Sequence, residues 1–303
     1  MSKKILVVGD SMLDVRIDCE VTRISPEAPI PIYDVDHEQC YAGGAANVAL
    51  NIKAMGGDVK LLTAVGEDVA GTSLLDILTG SDLAYQSCPV ERTTTKTRLF
   101  VNNVVRARID EDHILSEPEA ERMNDALNDL FDEYGVIVFS DYGKGALLHV
   151  DAMLDACAYG RITLVDPKGS NWGKYENATY VKANAAEVEA VGMSQYRIPA
   201  EHNFANLIKT ASGAGSEIIG CVSWTDTRHV PPLPVQCVDP TGAGDSYLAA
   251  LAVGLAEGLP LYDACLRGSV AGALATRHVG TAVITREEIE ECLPRLLNNT
   301  TQL

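Results

Sequence analysis

Val238-Asp239-Pro240-Thr241-Gly242-Ala243-Gly244-Asp245-Ser246, followed at once by an apolar run from Tyr247 to Gly258, is the stretch from which the fold can be read. Asp239-Pro240 closes an extended segment, because a residue before proline is pushed out of the helical region. Gly242 and Gly244 permit backbone angles that other residues avoid, and the Ala- and Leu-rich run reads as a buried helix starting near Ala243. Several unpaired backbone N–H groups then face forward from the helix start, where an anion is the natural guest. Asp245 falls in the first turn, where the helix dipole stabilises a charged carboxylate and favours a low pKa. A carboxylate beside a phosphate would repel it unless it handles a proton or a metal. The chemistry expected is general base catalysis, with Asp245 taking a hydroxyl proton while the N–H groups hold a phosphoryl group. The alternative is a tight strand-to-helix turn with Asp245 as a cap. No Lys-Ser/Thr pair follows the glycines, so this is not a Walker loop, and the three-glycine dinucleotide spacing is missing.

Outside this stretch the bulk properties narrow the class. With 303 residues the chain can hold one large core, and 47% hydrophobic with 22% charged residues is the balance of a folded protein. The charge of -18, from 24 Lys and Arg against 42 Asp and Glu, repels nucleic-acid backbones, and no cluster of basic and aromatic residues relieves it. Nucleic-acid binding is therefore excluded. Small anionic substrates are not, since local cations can outweigh the global field in a cleft. No run approaches eighteen apolar residues, so no membrane span is expected. Cys19, Cys40, Cys88, Cys157, Cys221, Cys237, Cys265 and Cys292 are scattered without a CxxC pair and read as buried thiols of a reducing compartment. The N-terminus shows no secretory signal, and a cytoplasmic location is expected.

Ile5-Leu6-Val7-Val8 is non-alternating and aliphatic, the pattern of a central strand covered on both faces, and it ends in Gly9-Asp10. Asp14 follows in what reads as a turn at the strand's carboxyl end. Residues 15–38 carry three prolines in the 25–31 stretch and read as a flap, and residues 90–110 read as a hairpin turning at Asn102-Asn103. Together these two pieces are expected to form a small β lid inserted in a single domain spanning 1–303. Lys96, Arg98, Arg106 and Arg108 gather in that hairpin, where alternate members can point the same way toward an anion.

Tyr41 to Asn47, with paired Gly43-Gly44, opens a helix of small residues on which Asn47 could hold a hydroxyl. Strand and helix patterns then alternate: 59–65, 71–78, 117–131, 136–139, 147–158, 162–165 and 179–183. The fold expected is α/β, a Rossmann-like three-layer αβα arrangement around a mostly parallel sheet. Less helical extended pieces are read at 204–210, 218–224 and 234–238, then helices at 243–258, 263–275 and 286–297. Asp10, Asp141, Asp166, Asn184 and Asp239 each follow a strand, and in a parallel sheet they collect on one edge as a site. His278 lies in a loop that could approach a base or sugar. The histidines are isolated, so any Mg²⁺ is expected to be held mainly by substrate phosphates and water, helped by Glu187 or Asp239.

These motifs also carry a resemblance. VVGDSMLD (7–14), TRISPEAP (22–29), GGAANVALNI (43–52), TTTKTRLF (93–100), SDYGKGAL (140–147), VDPKG (165–169), KANAAEVEAV (182–191) and DPTGAGDS (239–246) resemble the ribokinase-like (PfkB) carbohydrate kinases along nearly the whole chain. TRISPEAP followed by GGAANVA is similar to the heptose 7-phosphate kinase branch, the kinase half of the bacterial enzyme that makes ADP-heptose for lipopolysaccharide.

The resemblance implies ATP and Mg²⁺ as cofactors, allows a monovalent cation such as K⁺, and implies a sugar phosphate as partner and a homodimer through the lid. It places Asp245 as base with the amides of Gly242, Ala243 and Gly244 as an anion hole. Asp14, Gly43, Gly44 and Asn47 are placed on the sugar side, with Lys96, Arg98 and Arg108 near the sugar or its distal phosphate, and Asp141, after its strand, is expected on the sugar side too. Asn184 and Glu187 are placed around the Mg²⁺ and phosphates, and Thr210, Gly213 and Gly215 on the nucleotide side, where Lys182, Thr241 and His278 are also expected from their own positions in the chain. Three features depart from the family pattern. The 191–207 segment is short, the loop TASGAGS (210–216) lacks central charges, and no nucleotidyltransferase half is expected with this kinase part. A stand-alone heptose 7-phosphate kinase is the function expected. A kinase for another sugar or nucleoside, or a non-catalytic sugar-phosphate sensor, stand as alternatives.

Overall fold

The computed structural model describes residues 2–157, 159–220 and 227–300. The first strand, β1 (Ile5–Gly9), is buried along its length. The chain then makes β2 (Ser11–Glu20), β3 (Asp34–Gly44), α1 (Ala45–Ala54), β4 (Val59–Gly66), α2 (Val69–Gly80) and β5 (Ala84–Val90). After these come the hairpin β6 (Thr95–Val101) and β7 (Val104–Glu111), then α3 (Glu117–Asn128), β8 (Val136–Ser140), α4 (Val150–Cys157) and β9 (Ile162–Asp166). The second half holds β10 (Tyr180–Asn184), α5 (Ala185–Ala190), α6 (Ile198–Glu201), β11 (Asn206–Thr210), β12 (Ser216–Gly220) and β13 (Arg228–Val230). Three helices close it: α7 (Ala243–Ala256), α8 (Leu261–Ala275) and α9 (Arg286–Thr300).

A nine-stranded sheet in the order β13-β12-β11-β10-β9-β8-β1-β4-β5 forms the middle layer, parallel except where β12 runs against β11 and β13. The β1 residues show why the layers form. Ile5 and Val7 face one core with Val48, Leu248 and Val270, whereas Leu6 and Val8 face the other with Met123, Leu154 and Val188. A strand that feeds two cores must be apolar at every position, which is the non-alternating pattern seen in its sequence. The sheet's order reverses direction at β1, which lies between β8 and β4. In such sheets the crevice at the strands' carboxyl ends opens at this switch point.

A second, four-stranded sheet in the order β3-β2-β6-β7 lies beside the first. Only Asp10 separates β1 from β2, so the chain passes from one sheet directly into the other. Asp14 therefore sits inside β2, paired with Tyr41 and Lys96, and not in a turn. The Gly43-Gly44 pair likewise ends β3 instead of opening the helix, and α1 begins at Ala45. The 234–238 segment forms no strand. The third piece of that passage is β13, and Pro231, Pro232 and Pro234 follow it with no N–H to continue a ladder. The extended reading of 218–224 holds to Gly220, its remainder and Ala158 lying outside the described residues.

Cys19, Cys88, Cys157 and Cys265 are buried thiols, but Cys40 and Cys292 are half-buried and Cys237 is exposed, and none of these seven is in a disulfide. Cys221 lies outside the described residues. No described helix is long and apolar enough to cross a membrane.

Small residues let α7 and α8 pack closely. A Cβ added to Gly268 would lie 2.9 Å from the Tyr247 ring, and one at Gly254 would lie 2.8 Å from Ala264 Cβ. Gly268→Val should overpack this contact and lower stability by about 1–3 kcal/mol in urea unfolding. An unchanged midpoint would mean that the helices are not in such contact.

Candidate active site

The loop after β8 is held by a carboxylate from β1's end. Asp10 accepts the backbone N–H groups of Tyr142 (2.9 Å), Lys144 (3.0 Å) and Ala146 (2.9 Å), while its own carbonyl accepts from Ala45 N (3.0 Å) at the start of α1. Burial raises the Asp10 carboxyl above its usual range, offset in part by these three donors. Gly44 at φ 61° is required here, because a Cβ would sit 2.3 Å from the Asp10 carbonyl oxygen. Two chain entries into the site are thus tied to one residue.

Opposite them lies the start of α7. Gly242 is left-handed, with φ 77°. Among the described residues the N–H groups of Gly242, Gly244 and Asp245 have no acceptor, while Ala243 N reaches Pro240 O at 3.3 Å. Of the three amides expected to form an anion hole, Gly242 and Gly244 are open, and Asp245's own N–H joins them. Asp245 is 5% exposed. Its Oδ2 accepts from Asn47 Nδ2 (2.8 Å) and its Oδ1 from the Tyr142 hydroxyl (2.5 Å). The low pKa expected from the helix dipole does not arise. Burial dominates and raises the carboxyl, although Tyr142, Asn47 and Lys182 act in the other direction.

Asn47 is itself oriented. Asn51 donates through Nδ2 to Asn47 Oδ1 (3.1 Å), Asn47 O (3.0 Å) and Ala282 O (3.0 Å), and its Oδ1 accepts from Ile284 N (2.9 Å) and Ser246 Oγ (3.3 Å). With its oxygen engaged by Asn51, the Asn47 amide must turn its N–H toward Asp245.

The other expected site residues divide into groups. Asp14 is buried and ion-paired with Arg98 at 2.6 Å, and Gly43 lies against it, where a Cβ would come within 2.4 Å of Asp14 Oδ2. Arg108 pairs with Asp110 on the exposed part of the hairpin. Lys96 differs from both. Among the described residues it has no ion-pair partner, and its ammonium lies 5.7 Å from the centroid of the Tyr142 ring. Burial chiefly lowers its pKa, with Arg108 and Lys144 adding to the effect.

Asp141 is engaged away from Asp245, accepting from Gly143 N (2.7 Å), Lys174 Nζ (2.7 Å) and Tyr175 OH (2.6 Å). Lys182 Nζ is buried, bonded to Asp166 Oδ2 at 2.7 Å and 3.1 Å from where a Cβ of Gly244 would stand. Burial pushes the Asp166 carboxyl up to about 6, against the pull of Lys182.

Asn184 and Glu187 form the capping box of α5: Asn184 Oδ1 accepts from Glu187 N, and Glu187 Oε2 from Asn184 N, both at 2.9 Å. Thr210, Gly213 and Gly215 lie at the turn from β11 to β12, where Gly215 at φ 87° sits tightly against Val230 O. Asp239 Oδ1 accepts from Thr241 N and Oγ1, and its Oδ2 from Gly280 N, which ties the loop holding exposed His278 to the α7 turn. Burial raises the Asp239 carboxyl, but these donors prevail and leave it below its ordinary value.

Two contributors were not singled out from sequence, Tyr142 and Asn51. Tyr142 lies inside the SDYGKGAL motif (140–147), next to Asp141, a position that marks it as a neighbour of the site. Asn51 carried one signal, its place one helical turn after Asn47 on a helix of otherwise small and aliphatic residues.

A crevice at the switch point of an αβα sheet, with open N–H groups at a helix start and a buried carboxylate beside them, defines a phosphotransferase that works on a hydroxyl. The pfkB family carbohydrate kinase model matches residues 2–288, and the chain belongs to that family: it is a carbohydrate kinase, with an alcohol group as phosphoryl acceptor. Similar proteins include the bifunctional protein HldE of Shewanella baltica, 35% identical over 96% of this chain, and that of Pectobacterium atrosepticum, 36% identical over 95%. The chain spans 63% of the length of each. Among solved structures, phosphofructokinase-2 from Escherichia coli in complex with potassium aligns with TM-score 0.82 at 20% identity, covering 98% of this chain and 100% of that one. Ribokinase from Thermotoga maritima aligns with TM-score 0.76 at 21% identity, covering 96% and 99%. These two likenesses show a ribokinase-like fold.

Asp10→Asn replaces an acceptor-only group by one with an N–H₂ that cannot accept from all three loop amides. The loss expected is about 2–3 kcal/mol of stability in urea unfolding, with faster amide exchange across 142–146. Unchanged exchange there would separate Asp10 from the loop's position.

Proposed function

We propose that this chain transfers the γ-phosphoryl group of ATP to the anomeric hydroxyl of D-glycero-β-D-manno-heptose 7-phosphate, giving the 1,7-bisphosphate. The observation that carries the reading is Asp245, buried, held by two neutral donors, and adjoining open amides at the start of α7. The heptose assignment takes its support from the TRISPEAP and GGAANVA segments, and from Lys96, a partly buried cation near that carboxylate that has no ion partner among the described residues.

In this reading Asp245 accepts the proton of the acceptor hydroxyl as its oxygen bonds to the γ-phosphorus and the bond to the ADP oxygen breaks. The N–H groups of Gly242, Gly244 and Asp245 face the charge that develops on the phosphoryl oxygens, and Lys182 stands beside them. Buried Asp14, paired with Arg98, would accept hydrogen bonds from sugar hydroxyls. The donor chemistry fits Mg²⁺ held through phosphates and water. Glu187 keeps Oε1 outside its capping box, whereas both oxygens of Asp239 are taken, so Glu187 is the carboxylate we assign to it. Among the described residues no three His, Cys, Asp or Glu side chains converge as a metal cage. Mg²⁺, when bound, would neutralise phosphate charge. Exposed Val35, Val104, Val105 and Ile109 on the second sheet support pairing with a second copy.

A neutral sugar or nucleoside acceptor is the second reading. Its support is that Arg98 and Arg108 already have carboxylate partners. Lys96→Met separates the two: KM for the acceptor should rise at least tenfold if an anion sits there, and stay within about threefold if the acceptor is neutral.

The main reading is tested by incubating wild-type and Asp245→Asn protein with heptose 7-phosphate and Mg-ATP and following bisphosphate by phosphorus NMR. Asp245→Asn should lower kcat by about a thousandfold or more while calorimetric affinity for the acceptor stays within about threefold. Retained turnover would remove the base assignment. Because burial raises the Asp245 carboxyl and catalysis needs the carboxylate, activity should be full at high pH and fall as pH drops through the raised value. The acid limb of kcat/KM is thus expected above the ordinary aspartate value of 3.8.

A further inference from the structure

Three side chains are in contact in series at the site. The Lys96 ammonium lies 5.7 Å from the centre of the Tyr142 ring, and the Tyr142 hydroxyl donates to Asp245 Oδ1 at 2.5 Å. Tyr142 has little freedom to leave these contacts, since its N–H is held by Asp10 at 2.9 Å and Asp141 fixes Gly143 N at 2.7 Å immediately after it.

We propose that Tyr142 is a positioning residue through which Lys96, when it takes up the anionic group of the acceptor, acts on the base Asp245. The proposal rests on the reading of a phosphorylated acceptor given above. A cation over the face of a phenol draws on the ring's electron density and strengthens its O–H as a donor. A stronger donor to Oδ1 stabilises the Asp245 carboxylate and makes it a weaker base. When the acceptor's phosphate pairs with Lys96, its charge is neutralised, the phenol donates less strongly, and Asp245 becomes a better base as the hydroxyl arrives. A neutral sugar leaves the chain of contacts as it is. Lys96 and Tyr142 thereby favour turnover of an anionic acceptor beyond favouring its binding.

Other charges face these groups and set the baseline. Asp245 is faced by Lys182 from β10, Asp166 from β9 and Asp14 from β2, and Tyr142 by Asp166 and by Asp14. Lys96 is faced by Asp14, by Arg108 and Asp110 from β7, and by Lys144 from the loop after β8. Those charges are the same in all four proteins compared below, so the path through Tyr142 can be isolated by substitution.

The experiment is the pH dependence of kcat/KM for wild type, Tyr142→Phe, Lys96→Met and the double variant, with melting temperatures to verify folding. Tyr142→Phe keeps the ring and removes only the donor. It should move the acid limb up by about one pH unit, with KM for the sugar phosphate within about threefold. Lys96→Met should also move the limb up, and by less than half as much when Tyr142 is already Phe. A carbon-13 NMR titration of aspartate carboxyls, with Asp245 assigned by its loss in Asp245→Asn, should give the same shifts without turnover. An unmoved limb in Tyr142→Phe, or an equal Lys96→Met shift in both backgrounds, overturns the proposal. If the wild type turns over only a neutral sugar, the substrate reading fails. The four limbs measured on that sugar then still decide whether Lys96 reaches Asp245 through Tyr142.

Discussion

Asp245 keeps an ionisable carboxyl 5% exposed at the start of α7, and hydrogen bonds must replace the water it gives up. Asn47 and Tyr142 supply one each, and neither brings a charge. A full ion pair would hold the carboxylate as a poor base, whereas no partner at all would leave it protonated. Two neutral donors under heavy burial place it between these limits, which suits a group that must take a proton and later release it. The cations Lys182 and Arg98 are kept nearby but are committed to Asp166 and Asp14.

Much of the surrounding structure serves to keep those two donors in place. Asn47 projects from α1, whose start is tied to the carbonyl of Asp10, and its amide is oriented by Asn51. Tyr142 comes from the loop after β8, which is tied to the Asp10 carboxylate. Asp10 ends the central strand, so its position follows from burying Ile5 to Val8 in two cores. Core packing, loop geometry and the candidate base are one connected structure, and disturbance at Asp10 should be felt at Asp245 without touching it.

The fold was largely legible because its signals are local. An unbroken aliphatic strand, a glycine turn and a helix of small residues are each set within a dozen positions. What failed were boundaries where a short pattern had two readings. Gly43-Gly44 suits a helix start as well as a strand end, and 234–238 has strand-like residues without the N–H groups a ladder needs. The site was legible as a set of polar residues after strands, but their division of labour was not. Asp10, Asp14 and Asp141 look alike in sequence, and what separates them is their partners. Arg98 is 84 positions from Asp14, and Lys174 is 33 from Asp141. Tyr142 meets Asp245 across 103 positions, and no spacing rule reaches that far.

The most direct test is the specificity of turnover. Heptose 7-phosphate, fructose 6-phosphate, ribose, fructose and adenosine would each be presented with Mg-ATP, and kcat/KM compared from ADP release. The structure and sequence together predict the highest value for heptose 7-phosphate, by at least tenfold over the neutral acceptors. A neutral sugar or nucleoside giving the highest value, with heptose 7-phosphate inert, would contradict the account.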